Sequence, residues 1–477
     1  MRRNNLLIRI GFTAILGFLG LPNNIGAQDA AKLEITEFPL GVAFGFKYNG
    51  EVFMPHIREL GVNQTKLYLY WQQVEPKRGE YNWQIIDNFL QQLDNESKVL
   101  IAVYSSSTWG AKAGLYKGGS IPLNMDDYYN FIVKLVKHCQ GKVKYWQNDC
   151  EPDGDYWQGG TKAEYVATLK VFYKAVKAAD PQASVIVGGH SGAFSKQGLP
   201  QRQEFFDYVL AEGKDYFDLF DLRLYNNVDT IPQRVAWFRN RMKDFGFQKP
   251  IVCTEYGGPM PSQFPEAEPF YAEFRKLEET HGRKKAMLLL KEKIEKNRAS
   301  LPNPIKMFLE NTRPDLDEKR HRIHCRDIVS RTIVALSVGV KKLWLWNLVN
   351  DPHLVFGKFR LMDSKFTQRY PAFYAYQRMA SKLKGIKSIR RITTKKEDLY
   401  LFGIEREKRS NLYVLWQKRS LFEGENQPKI PFEFKFEEKS EGQVKIMDVF
   451  GEEWTGEIKQ NILKLDINDT PLFIEGL

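Results

Sequence analysis

Eight short runs of β-forming residues alternate with helical runs through about residue 385, and few folds accept that order. The runs are GVAFGF (41–46), TKLYLY (65–70), VLIAVY (99–104), VKYWQND (143–149), SVIVGG (184–189), LFDLRLY (219–225), PIVCTE (250–255) and KLWLWNL (342–348). Between them lie patterns such as YYNFIVKLVKHC (128–139) and AEYVATLKVFYKAVKAAD (163–180), whose apolar residues recur at helical spacing. Strands that alternate with helices pair in parallel, and eight of them close into a (β/α)8 TIM barrel. The stretch between the seventh and eighth runs is long, which predicts a helical insertion at about 262–314 on the face where the strands end.

The rhythm changes at Ile386. LYLFGIER, NLYVLWQK, PFEFKF, QVKIMDVF, ILKLDI and PLFIEG are short alternating runs separated by turn residues. They predict a C-terminal antiparallel β-sandwich over 386–477, polar on its outer faces and packed beside a barrel of residues 28–385. The fold class read from the sequence is therefore α/β, a TIM barrel followed by a sandwich.

The first 27 residues read as a secretory signal. MRRNNLLIRI supplies a basic start, Ile10 to Leu21 an apolar stretch, and Ala27 a cleavage point. The apolar stretch is short for a bilayer span, and no later run is long enough. Secretion or export to a periplasm is the expectation, with an uncleaved anchor as the alternative and no stable membrane insertion of the mature chain.

The formal net charge is +12, part of it in HGRKKAMLLLKEKIEKNR (281–298). That segment predicts a helix that is either a solvated insertion or a surface for an anionic polymer or membrane. No nucleic-acid motif is present. The four cysteines, Cys139, Cys150, Cys253 and Cys325, lack metal-ligand spacing, and their even number permits disulfides without requiring them.

Two glutamates carry the chemistry. Glu151 ends the fourth run and is followed by Pro152; Glu255 ends the seventh and is followed by Gly257 and Gly258. Carboxylates at the carboxyl ends of barrel strands occupy the usual place for catalysis. A facing pair suits cleavage of a glycosidic bond, one protonating the leaving oxygen and the other attacking carbon or positioning water. The plainer alternative is two rim carboxylates in salt bridges. The abundant aromatic residues suit stacking on sugars and equally suit a core. Trp71 and Trp109 are candidates for sugar contact.

At these residues the chain resembles a clan-A retaining glycoside hydrolase, of the β-xylosidase and α-L-iduronidase type, over about residues 38–477. The resemblance is carried by YWQQVEPKRGEYNW (70–83), by the stretch from Cys150 to Gly189, and by KKLWLWNLVNDPHLVFGKFRLMD (341–363). It implies Glu151 as the general acid/base and Glu255 as the nucleophile. It implies that Tyr225 hydrogen-bonds the nucleophile and that Trp346, or Trp344 on the same strand face, lies beneath the reacting sugar. It implies no cofactor and no metal, and an oligosaccharide or polysaccharide as the partner. Three positions depart from the family. Cys150 stands where the family has Asn, Lys66 where it has Arg, and Arg223 where it has the His of His-x-Tyr. Arg223 is then expected to reach Glu255 or an acidic substrate group, or else to pair with Asp221 on its own strand face. Those departures keep two further readings open: a carbohydrate-binding pseudoenzyme, and a transglycosidase remodelling surface glycan.

Overall fold

The computed structural model describes residues 32–43, 50–114, 118–154, 157, 160–191, 199–309, 311–349, 359–436 and 441–476. The signal segment and its cleavage point lie outside the described residues. Eight strands form one parallel sheet: β1 (Leu40–Ala43), β2 (Gln64–Tyr70), β3 (Lys98–Tyr104), β4 (Val143–Asn148), β5 (Ser184–Val187), β6 (Phe220–Asp221), β7 (Ile251–Tyr256) and β8 (Leu343–Trp346). β1 pairs with β8, and the remaining strands follow in chain order on either side. A parallel bridge from Ile186 to Leu219 joins β5 to the start of β6, so the sheet closes as a barrel. The helices pack outside it. Lys162–Ala179 begins with a reciprocal Thr161–Glu164 capping box, which satisfies two otherwise free donors.

The barrel interior is layered. Leu100, Tyr145, Ile186, Val252 and Trp344 form an apolar lower layer. Tyr68, Ala102, Tyr104 and Cys150 pack above, with Tyr70 and Trp346 partly exposed beside them. Layers of alternate-strand side chains are how such a barrel fills its bore, and its strand ends are where its loops carry chemistry.

The insertion after β7 contains helices Glu268–His281, Arg283–Lys296 and Asn303–Lys306, before the long helix Pro314–Ser337. The first two form a hairpin closed over Leu290, Ile294, Leu301, Ile305 and Leu309. The basic segment is thus one arm of a hairpin with its own small core. Among the described residues no helix is long and apolar enough to cross a membrane.

Strands β9 (Ile386–Arg391), β10 (Leu399–Arg406), β11 (Leu412–Gln417), β12 (Ile430–Lys435), β13 (Glu441–Asp448), β14 (Glu453–Lys459), β15 (Ile462–Ile467) and β16 (Leu472–Gly476) make the C-terminal antiparallel sheet, which folds over itself as the sandwich. Two details differ from the sequence expectation. Leu33–Glu34, upstream of the barrel, pairs with β9, so the sheet draws on both ends of the chain. The outer faces of β10 and β11 are apolar, not polar. Leu399, Leu401 and Leu415 fill the sandwich, whereas Tyr400, Phe402, Val414 and Trp416 turn the other way and join the main core. Trp416 stacks on Tyr400 at 5.1 Å and on Phe402 at 5.3 Å. Alternation alone cannot say whether a strand's second face meets water or another layer.

All four cysteines are free and buried.

Candidate active site

Where β2, β4, β6 and β7 end, the bore becomes polar. Glu255 is re-aimed there by a local irregularity. Strict alternation would turn it away from its neighbour Thr254, but the pairing of β7 with β8 shifts register between Cys253 and Tyr256. Such a bulge redirects a side chain, and both Thr254 and Glu255 reach the interior. Glu151 is turned by a different device. Asp149 adopts left-handed backbone, φ 60°, and this breaks the strand and brings Cys150 and Glu151 to its mouth.

Glu255 is surrounded by donors. Its Oε1 accepts from Lys66 Nζ at 3.0 Å and Cys150 Sγ at 3.0 Å, and from the Tyr68 hydroxyl. Arg223 Nη1 lies 3.2 Å from the same oxygen. Its Oε2 accepts from the Tyr225 hydroxyl at 3.1 Å. Burial pushes this carboxyl up, but Arg223 first and then Lys66, Tyr68 and Cys150 outweigh burial and bring it down to about 2.

Arg223 joins the two glutamates. Its side chain is fully buried, and its Nε stands 3.6 Å from Glu151 Oε1. Nη1 donates to Thr254 Oγ1 at 2.6 Å, and Nη2 donates to the Cys150 carbonyl at 3.0 Å and to Cys150 Sγ at 2.8 Å. Asp221 Oδ2 is 3.5 Å away. Burial works against the guanidinium charge; Asp221 and the neighbouring acids more than offset it and hold the proton firmly. Arg223 thus contacts both partners that the sequence offered as alternatives, Glu255 and Asp221.

Glu151 has the opposite surroundings. Its side chain is 17 % exposed. Burial lifts its carboxyl to about 8, with the charges of Glu255 and Asp153 adding to burial and Arg223 opposing it. Two carboxyls a guanidinium apart are thus pushed in opposite directions, one ionised and one protonated at neutral pH. That is the pattern of an acid/base division of labour.

The sequence reading missed the supports. Thr254 is a hub: its hydroxyl accepts from Lys66 at 2.9 Å and from Arg223, and donates to Asp221 Oδ2 at 2.7 Å. Asp221 also accepts from Gln147 Nε2 at 2.7 Å and the Thr254 amide at 2.8 Å. Tyr68 lies on the same β2 face as Lys66, a signal visible in TKLYLY. β6 has only two ladder residues, so its end is held from outside. Arg234 donates to the carbonyls of Arg223 and Tyr225, and Arg331, paired with Asp327 at 2.6 Å, donates to those of Leu224 and Asn226.

The four tryptophans separate. Trp346 sits half-buried at the mouth, edge-on to Tyr68 at 5.4 Å. Trp344 is fully buried in the lower layer, and Trp71 is fully buried under Trp109. Neither offers a face to a sugar, which corrects the expectation for both. Trp71 serves the loop instead. Its Nε1 donates to Glu75 Oε2 at 2.7 Å, while Glu75 Oε1 accepts from the Gly79 amide at 2.7 Å. Trp109 is half-buried and donates to the Glu75 carbonyl at 2.9 Å. The WQQVEPKRG motif is therefore a folded turn whose tryptophan and glutamate hold each other.

A closed parallel barrel with a sandwich seated on it is an architecture shared with solved glycoside hydrolases. A family 39 glycoside hydrolase from the gut symbiont Bacteroides cellulosilyticus WH2 aligns with TM-score 0.63 and 16 % identity, over 92 % of this chain and 81 % of that one. A monomeric beta-xylosidase from Caulobacter crescentus CB15 aligns with TM-score 0.57 and 13 % identity, over 94 % and 98 %. An alpha-L-arabinofuranosidase from Thermotoga maritima aligns with TM-score 0.56 and 11 % identity, over 94 % and 98 %. No family model and no curated protein matches the sequence. The likeness is one of fold, and a fold of this kind hosts many chemistries.

Proposed function

We propose that the protein is an exported retaining glycosidase that cleaves O-glycosidic bonds by double displacement, with Glu255 as nucleophile and Glu151 as general acid/base. The observation that carries this reading is the divided pair: Glu255 held down to about 2, Glu151 lifted to about 8, and Arg223 touching both. Export rests on the basic and apolar segment that opens the sequence.

The donors around Glu255 differ between its two oxygens. Oε1 is crowded by Lys66, Tyr68, Cys150 and Arg223, whereas Oε2 has Tyr225. On this reading the less crowded Oε2 bonds the anomeric carbon. As it does so, Glu151 gives its proton to the departing oxygen. In the second half Glu151, now ionised, takes a proton from water, which attacks the same carbon and frees Glu255. Trp346 forms the aromatic wall at the mouth. Cys150 remains a neutral thiol, because burial pushes its ionisation well up, and it donates to the nucleophile. The fold neighbours carry the names of both xylosidase and arabinofuranosidase, so the sugar is assigned by assay.

The test is kcat/KM against pH on a panel of aryl glycosides of both anomeric configurations. Activity should rise through an acid limb near pH 2, above which Glu255 is ionised, and fall through an alkaline limb near pH 8, above which Glu151 has lost its proton. The limbs belong to the coupled pair. A folded protein with no turnover across the panel would leave only carbohydrate binding.

Glu151→Ala is expected to separate substrates by leaving group. Activated aryl glycosides need little protonation, so their first step should survive and azide should restore turnover by attacking the intermediate. Equal losses on activated and unactivated substrates would remove Glu151 from the acid/base role.

A further inference from the structure

A cleft of about 740 Å³ is lined by neither Glu151 nor Glu255. Its walls come from three places: Asn227 and Asp229 after β6, Gln263–Glu266 with Asn303 and Pro304 from the insertion after β7, and Lys418–Glu423 from the loop between β11 and β12. The first two segments leave the carboxyl ends of β6 and β7, which puts them on the same face as Glu255. The chain links them to the site. Asn227 lies two residues beyond Tyr225, the partner of Glu255, and Ser262 of the insertion donates to Asn226 Oδ1 at 2.9 Å.

The cleft is built rigidly. Phe422 of the sandwich loop is buried in the insertion's apolar cluster with Phe264, Met307 and Phe308. Arg419 is committed to its own loop, donating to Gln417 Oε1 at 2.8 Å and to the carbonyls of Gly424, Gln427 and Pro428 at 3.2, 2.9 and 2.8 Å. Asp229 accepts from Tyr400 at 2.6 Å and pairs with Lys418 at 2.7 Å. A pre-formed groove of this size suits a ligand larger than one sugar ring. Its two cations are already engaged, while Glu266 and Glu423 are exposed carboxylates, so its charge disfavours an acidic chain. Amides, carboxylates and a hydroxyl set between proline and leucine surfaces can bond hydroxyls and pack on C–H faces.

We propose that this cleft continues the active site and binds further units of a neutral oligosaccharide chain, with the sandwich loop 418–423 forming one wall. The proposal rests on the glycosidase reading and narrows it to chain-length-dependent substrates.

The test measures affinity by calorimetry in the full chain carrying Glu151→Gln, a neutral group replacing a protonated one, so that the probes stay uncut. The probes are xylobiose to xylohexaose, the matching cello- and manno-oligosaccharides, and oligogalacturonates. In one neutral series the longest member should bind at least about tenfold more tightly than the shortest, which is the effect of one good contact set. Ser420→Trp and Asn303→Trp, each adding an indole at an exposed cleft position, should abolish that gain. Affinity independent of length in every neutral series overturns the proposal, as does an undiminished gain in both tryptophan variants once folded. Tightest binding of oligogalacturonates overturns the choice of a neutral chain. Aryl glycoside turnover by the unsubstituted protein reports separately on the glycosidase reading.

Discussion

Glu255→Gln is expected to lower kcat by at least ~10³-fold, the scale for removing a group that acts in the transition state. The amide matches the carboxylate in volume but cannot form the covalent intermediate. The substitution should also lower stability, because Lys66 and Arg223 are fully buried, Glu255 pairs with both, and Asp221 pairs with Arg223 alone of the two. Removing one member of a buried ion pair typically costs about 3–5 kcal/mol. The folded-state carboxyl is depressed, so its contribution is present above the ordinary carboxylate range and fades as pH falls toward about 2. The unsubstituted protein should therefore exceed the variant in melting temperature at neutral pH, with the gap closing in acid. Near-normal kcat in a folded Glu255→Gln protein would end the nucleophile assignment.

Arg223→Lys is expected to cost ~10²-fold in kcat, the scale of a small misplacement of reacting groups. An ammonium keeps the charge but cannot reach Thr254, both atoms of Cys150 and the two glutamates together, as the planar fork does. With the cation drawn back, both carboxyls bind protons more tightly. The acid limb should move up from about 2 and the alkaline limb up from about 8. A variant with a lower melting temperature but unmoved limbs and normal kcat would leave Arg223 only its structural pairing with Asp221.

The barrel was legible because parallel strands buried on both faces read as apolar runs bounded by breakers. Glu151 and Glu255 were legible because each stands at the end of such a run. Depth was not legible. Trp344 and Trp346 share a strand face, yet one closes the lower layer and the other reaches the mouth, and period-two alternation says nothing of height along the bore. Tyr68 was passed over because tyrosine is ordinary in a strand; its phenol matters only beside Glu255. Thr254 stood one residue from Glu255 and, by alternation, on the opposite face; the register shift that brings both inward leaves no mark in PIVCTE. The cleft could not be read at all, since its walls meet only once the sandwich is seated on the barrel through Tyr400, Phe402 and Trp416.

The crowding of Glu255 Oε1 also sets a clock. A carboxylate held this far below its ordinary range is a weak base, slow to form a bond and quick to leave. On the proposed mechanism the glycosyl ester at Glu255 is born with a good leaving group, so the first half-reaction limits the cycle and the ester is short-lived. An ester that vanishes as fast as it forms does not accumulate, so aryl glycoside turnover should show no burst of the aryl product. The same four donors that hold the Glu255 carboxylate in place would thereby decide which half of the proposed cycle is slow.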